Sequence, residues 1–573
     1  MGQINAMDSV IGATDPLANP RSLSQDNSTA FASIQFDSTT AELGRSALEE
    51  LLATSAPAEA SGIQVEFGGE LPTVLKERSA GPAEMIGIFS ALLILLITFR
   101  SLFGALLPLG AALLGLAVGL SLVGVLGLFI DIPSMAPRLG TMIGLGVGID
   151  YALFILSRHR DNLLAGDTVE DSIATTNATA GQAVVVAGGT VVIAILGLQF
   201  SGIPFVAALG YSASLVVAIA VLVAITLFPA LLAFVGKRVL PKAARKQVHP
   251  FPSTLGDTTR NGWVGWANWV ALHPWRSATA GTIILLILSI PVLDMRLGQA
   301  DAGNDPTTTT HRRAYDLLAG NFGPGLNGPL LITVDLGDSG DQTVLEGLAA
   351  MALADPGVAA LSPPDINAAG DTAILTLIPK TKPQAQETSD LIHRLRDTSL
   401  PQVLVGHDAT ALVGGPTAMF IDQSTKIADR LLWFIAAVVA MSFVLLMVVF
   451  RSILVPLKAA LLNLLSIGAA YGVVVAVFQW GWGRSFIGLD EAVPIASFVP
   501  MMMFAILFGL SMDYEVFILS RIREEYHRGH SNIDSVVEGL GATAKVITAA
   551  ALIMVSVFMG FVASEDPVVK MMG

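Results

Sequence analysis

Residues 145–160, LGVGIDYALFILSRHR, place a carboxylate, Asp150, and a phenol, Tyr151, inside a run that otherwise reads as lipid-soluble. A charge at that depth costs roughly 2.5–3.5 kcal/mol on insertion scales. Residues 508–523, FGLSMDYEVFILSRIR, carry the same feature at Asp513 and Tyr514. One buried carboxylate invites a local explanation. Two, at matching points of similar stretches, suggest a duplicated membrane bundle with a shared polar site.

The composition agrees with a polytopic membrane protein. Of 573 residues, 53% are hydrophobic and only 14% charged, against about 25% charged in soluble domains. The formal net charge of −14 argues against nucleic-acid binding, and the absence of cysteine excludes disulfides and thiolate metal sites. The first thirty residues have neither an apolar core nor a basic start, so they do not read as a signal peptide.

A span needs about 20 mostly apolar residues. About ten stretches qualify, at 84–100, 103–130, 139–159, 182–202, 206–236, 277–297, 430–450, 453–480, 496–520 and 543–563. Orientation follows from the basic residues of the short loops. Arg158 and Arg160 follow the third span, Lys237, Arg238, Lys242, Arg245 and Lys246 the fifth, and Arg521, Arg523 and Arg528 the ninth. Those ends are expected in the cytoplasm, which leaves the two large polar stretches outside it. Trp263, Trp266 and Trp269 recur at three-residue spacing, which predicts a helix lying on the cytoplasmic membrane surface.

The chain repeats itself in order. Phe99-Arg100-Ser101 matches Phe450-Arg451-Ser452, Gly68-Gly69 matches Gly414-Gly415, and NATAGQAVVVAG at 177–188 matches GATAKVITAAAL at 541–552. A constant order of matches is the signature of duplication. The second polar stretch alternates strand-like and helix-like segments in a βαββαβ pattern. The first shows only a later part: a strand in TAFASIQFD, a helix in TAELGRSALEELLA and a strand in GIQVEFGG.

The expected organisation is therefore a partial first extracytoplasmic domain over 1–80 and a first bundle of about five spans over 81–236. A cytoplasmic connector with the tryptophan helix covers 237–276, and the opening span of the second half covers 277–297. A second extracytoplasmic domain spans 298–428, and a second bundle of about four spans runs over 429–573. Six spans per half would make twelve, so the expectation is of a fragment short at both ends.

Helices three and nine should face each other, so that Asp150 meets Tyr514 and Tyr151 meets Asp513. Such pairing satisfies both polar groups in a dry core. Burial disfavours the charged form of a carboxylate, which suits it to taking up and releasing protons, as intramembrane carboxylates of pumps do. Glu515, beside the second pair, is expected to line this relay or to make a plain polar contact. Gly140, Gly144 and Gly148 lie four apart, on one helix face, and should let helices approach closely. Glu84 and Asp422 sit at outer span ends. The histidines show no metal-ligand spacing, and no phosphate-binding loop motif occurs, so neither a metal, a cofactor nor ATP hydrolysis is expected.

The segments GIDYALFILSRHRD, SMDYEVFILSRIREE, TLFPALLAFVGKR and EDPVVKMMG, with the two Phe-Arg-Ser turns, carry a resemblance. The chain resembles the MMPL group of the resistance-nodulation-division (RND) superfamily over essentially its whole length. That resemblance implies a polytopic α-helical protein of the cell membrane, in two pseudo-symmetric halves with ferredoxin-like porter domains outside. It implies proton-driven export of lipids or other hydrophobic molecules rather than enzymatic turnover, with Asp150, Tyr151, Asp513 and Tyr514 as the proton relay. The partners so implied are a lipid or hydrophobic small molecule, protons and the membrane, with a homo-oligomer or an accessory protein left open. Multidrug efflux by the same mechanism and a non-transporting sterol-sensing-type receptor or scaffold are the alternatives. A third, assistance in protein translocation, fits less well with the long porter-like regions.

Overall fold

The computed structural model describes residues 1–73, 81–241, 262–337 and 340–573. Lys242, Arg245 and Lys246 of the expected connector lie outside the described residues, and so do the side chains of Glu84 and Asp513. Among the described residues nine helices are long and apolar enough to cross a membrane. They are Leu102–Leu126, Ala136–Ala165, Val169–Ser201, Pro204–Val239, Pro274–Asp294, Pro416–Phe450, Leu454–Gln479, Val499–His527 and Asn532–Val562. A further helix, Gly81–Phe99, is apolar over Met85–Phe99 and stands where the first span is expected. Counting it, the spans are numbered one to ten in chain order.

The third span is the axis of its bundle and the sixth lies on the rim, with 89% and 6% of their apolar stretches buried. Ile283, Ile284 and Ile287 of the sixth are exposed, the face a helix turns to hydrocarbon. Small residues let the third span sit so deep. A Cβ built on Gly144 would come 2.6 Å from Val216 and 3.1 Å from Leu116, and one on Gly148 would come 3.0 Å from the Ala112 Cβ. Gly140 meets Val216 and Leu120 in the same way, at 3.2 and 3.3 Å. The three glycines are where the second and fifth spans close on the third.

The repeat extends to unusual backbone. Arg100 and Arg451, the centres of the two Phe-Arg-Ser turns, both have φ of 50°. That left-handed region is rare for residues other than glycine. Ser101 and Ser452 then accept hydrogen bonds from the N–H groups of Gly104 and Val455, at 3.3 and 3.4 Å. The same serine-to-amide bond thus stands at the start of the second and eighth spans.

Outside the membrane, strands Leu330–Asp335, Val358–Leu361, Thr372–Pro379 and Thr410–Gly414 form one antiparallel sheet. Helices Thr343–Ala354 and Gln386–Arg394 are interleaved with them in the chain, giving the βαββαβ order. The first strand lies centrally, between the third and the fourth. Alternation along Leu330–Asp335 puts Leu330, Ile332 and Val334 in the domain core.

The first extracytoplasmic region is slighter. Strands Val10–Ala13 and Ile34–Phe36 pair antiparallel beside helix Thr40–Ala53. The strand expected in GIQVEFGG does not form. Its polar groups go to a helix instead: the Phe67 N–H donates to the Thr310 hydroxyl at 2.9 Å, and Arg313 donates to Glu66 at 2.6 Å. A strand needs a partner edge, and these residues dock on Thr310–Phe322 rather than on a sheet.

The tryptophan stretch forms helix Gly262–Leu272. Its Val264 lies against Gly541 of the tenth span, while Trp263, Trp266 and Trp269 remain 39–52% exposed. Two-residue strands join domain to bundle: Leu297–Gly298, just past the sixth span, pairs in parallel with Ile495–Ala496, just ahead of the ninth.

Candidate functional site

The third and ninth spans cross through their side chains. Asp150 is 4% exposed, and its carboxyl lies against the Tyr514 hydroxyl of the other half. This is one of the two expected contacts. Tyr151 is fully buried, with Gly188 of the fourth span against its ring: a Cβ on Gly188 would sit 3.3 Å from it. Asp513 lies on the ninth helix one residue before Tyr514, its side chain outside the described atoms.

One turn below Asp150 the rings of Phe154 and Phe517 stack, with centroids 3.7 Å apart and planes 20° from parallel. The two residues are repeat-equivalent, as Asp150 is to Asp513. A residue stacked on its own counterpart marks a local twofold axis, which passes beside the Asp-Tyr pair. Sequence reasoning passed over these phenylalanines, although FILSR recurs in both motifs.

Below them, Arg158 donates to Glu524 across the axis at 3.2 Å. Glu524 also takes Arg521 at 2.6 Å and Arg528 at 2.7 Å. Asp161, the repeat equivalent of Glu524, lies in electrostatic reach of Arg158 and Arg521.

Glu515 is placed differently from the Asp-Tyr pair. Its carboxylate meets Lys458 of the eighth span at 2.7 Å. On the same interface Ser511 donates to Asn463 at 2.5 Å. The first half offers Gly148 and Ala152 at the equivalents of Ser511 and Glu515. The second half is therefore the more polar around its Asp-Tyr motif. Asp422, at the outer end of the seventh span, is held by Arg396 of the extracytoplasmic domain.

Glu525, His530 and Glu538 come together at the turn between the ninth and tenth spans, close enough to share one ion. Arg521 and Arg528 already pair with Glu525, at 3.1 and 2.8 Å. Those cations supply the positive charge a metal would bring, and the trio reads as part of the ion-pair network closing the turn.

At the extracytoplasmic end, Arg312 is 8% exposed and ties several segments together. It donates to the Gly303 and Asp305 carbonyls, to Asp316 and to Glu491 of the loop before the ninth span. Nearby, burial pushes the Asp301 carboxyl up from its ordinary range, against the opposing hydrogen bonds from the Gly303 N–H and Tyr315.

The model of the MMPL family matches residues 2–279 and 340–573. Membrane protein YdfJ of Bacillus subtilis (strain 168) is 38% identical, over 100% of this chain and 77% of that protein. The mycolic acid-containing lipids exporter MmpL11 of Mycolicibacterium smegmatis is 34% identical, over 88% of this chain and 53% of the exporter. The trehalose monomycolate exporter MmpL3 of Mycobacterium tuberculosis is 26% identical, over 85% of this chain and 54% of the exporter. The chain thus spans about half the length of the two named exporters.

Proposed function

The chain belongs to the MMPL family, and from that premise we propose that it exports lipids or other amphiphiles from the cell membrane. Protons moving through Asp150, Tyr151, Asp513 and Tyr514 drive the export. The observation that carries the reading is the Asp150 carboxyl, enclosed at mid-span and facing the Tyr514 hydroxyl of the other half.

A carboxylate buried in hydrocarbon is retained at a cost of several kcal/mol. That cost is understandable where the charge comes and goes. Protonated, Asp150 is neutral and can donate to the phenol; deprotonated, it accepts from it. The two states favour different packings of the third and ninth spans, and the ninth continues outward to the extracytoplasmic domain through strand Ile495–Ala496. Proton loading on one side and release on the other would move the halves against each other around the local axis. The lipid class is taken from the names of the two exporters.

The test is substitution in the intact transporter. Asp150→Asn and Asp513→Asn keep the size and polarity of the side chain and remove proton exchange. Each is expected to abolish lipid export, measured as lipid appearing outside cells, at unchanged membrane abundance. Export at wild-type rate in both would end the relay reading.

A further inference from the structure

Directly beneath the Phe154–Phe517 stack lies a cleft of about 120 Å³ between the third, fourth, ninth and tenth spans. Its walls come from both halves at repeat-equivalent positions. Ser157 corresponds to Ser520, Arg158 to Arg521, and Asp161 to Glu524. Thr179 and Thr543 stand at matching points of the two repeat stretches NATAG and GATAK. A single water needs roughly 10–15 Å³ by that measure, so the cleft has room for several. Hydroxyls and four charged groups supply the hydrogen-bonding partners that buried water requires.

We propose that this cleft is a water-filled vestibule on the cytoplasmic side of the Asp-Tyr site, closed off from it by the Phe154–Phe517 stack, and that the crossed arginine–acid set around it tunes proton passage. The proposal rests on the relay reading given above. Three observations carry it. The cleft sits on the local twofold axis, where a path shared by both carboxylates must run. It lies on the side that the basic loop residues mark as cytoplasmic, with Arg158 two turns below Asp150. Of the charges lining it, two arginines stand against Asp161 and Glu524, with Arg528 and Glu525 on the same ion pairs and Arg160 and Lys545 in reach of Asp161, so one lining substitution shifts the sum in a known direction. A cleft of one sign concentrates ions of the other by roughly tenfold or more.

The arrangement makes a signed prediction. Glu524→Gln makes the cleft more positive, which repels protons; proton flux through reconstituted protein is expected to fall about tenfold. Arg158→Gln makes it more negative, and flux is expected to rise. A purely structural Arg158–Glu524 pair predicts equal losses from both changes, and that result overturns the proposal.

Hydration is tested separately. The chain contains no cysteine, so Ser157→Cys and Ser520→Cys are clean reporters. Both are expected to react with a small, positively charged methanethiosulfonate added from the cytoplasmic side of inside-out vesicles. Ala152→Cys, buried above the phenylalanine stack, is expected not to react. Failure of both serine positions to react in folded protein overturns the vestibule. If instead Asp150→Asn transports normally while these thiols react, the relay reading fails and the wet cleft stands.

Discussion

At the scale of single residues, the third span shows how absent side chains create a site. Gly144 and Gly148 bring the second and fifth spans onto the helix that carries Asp150. Gly148→Val would force branched methyls into space already filled by Ala112. Overpacking of this kind costs about 1–3 kcal/mol. The expected outcome is a lower thermal midpoint for detergent-solubilised protein, with export falling as the two motifs are pushed out of register. An unchanged midpoint would mean the second span can shift aside. The Asp-Tyr motif itself was legible in the sequence, because a charge in an apolar run stands out and its repetition stands out further. The arginines that follow gave its cytoplasmic end. The Phe154–Phe517 stack and the Lys458–Glu515 pair were not legible, since each joins residues whose nearness depends on how helices rotate about their axes.

At the scale of elements, the clearest departure from sequence expectation is residues 63–68. Alternating Ile63, Val65 and Phe67 read as a strand, yet strand pairing is decided by what edge lies nearby. Here the neighbour is helix Thr310–Phe322, and the contact is the Glu66–Arg313 ion pair. Burial pushes the Glu66 carboxyl up, but the hydrogen bonds from Arg313, Gln64 and Thr310 outweigh it and hold it below its ordinary value of 4.5. An acid whose folded value is depressed stabilises the fold above its unfolded value, and that contribution is lost as pH falls through the folded one. Docking of the first extracytoplasmic region should therefore be intact at neutral pH and loosen as the pH falls below that ordinary value. Protease susceptibility of residues 54–66 against pH would follow it. Glu66→Gln is expected to flatten that dependence, and an unaltered profile would assign the acid response elsewhere.

For the whole molecule, the repeat was visible in the order of matched motifs, and the βαββαβ order of the second domain in its alternating segments. Both follow from short-range patterns of hydrophobicity. The asymmetry between halves was harder to see, because Ser511, Asn463 and Glu515 are dispersed in sequence and acquire meaning only on one interface. Orientation is testable without knowing the substrate. Glu387→Cys, in the extracytoplasmic domain, should be labelled by an impermeant maleimide in intact cells. Ile533→Cys, 54% exposed at the start of the tenth span, should be labelled only once the membrane is opened. The reverse pattern would invert the topology and with it the side on which the polar cleft opens.

The ninth helix is clasped at its outer end by strand Leu297–Gly298 and crosses the third at Phe517. The eighteen residue-to-residue steps from Val499 to Phe517 span about 27 Å at about 1.5 Å each. With the aromatic crossing as fulcrum, a tilt of about 5° sweeps the outer end by about 2 Å, by the same helix geometry. The chain would then work as a lever. Under the proposed relay, the gain or loss of one proton at mid-membrane would become a displacement the size of a side-chain contact, delivered through the paired strands at the foot of the second extracytoplasmic domain.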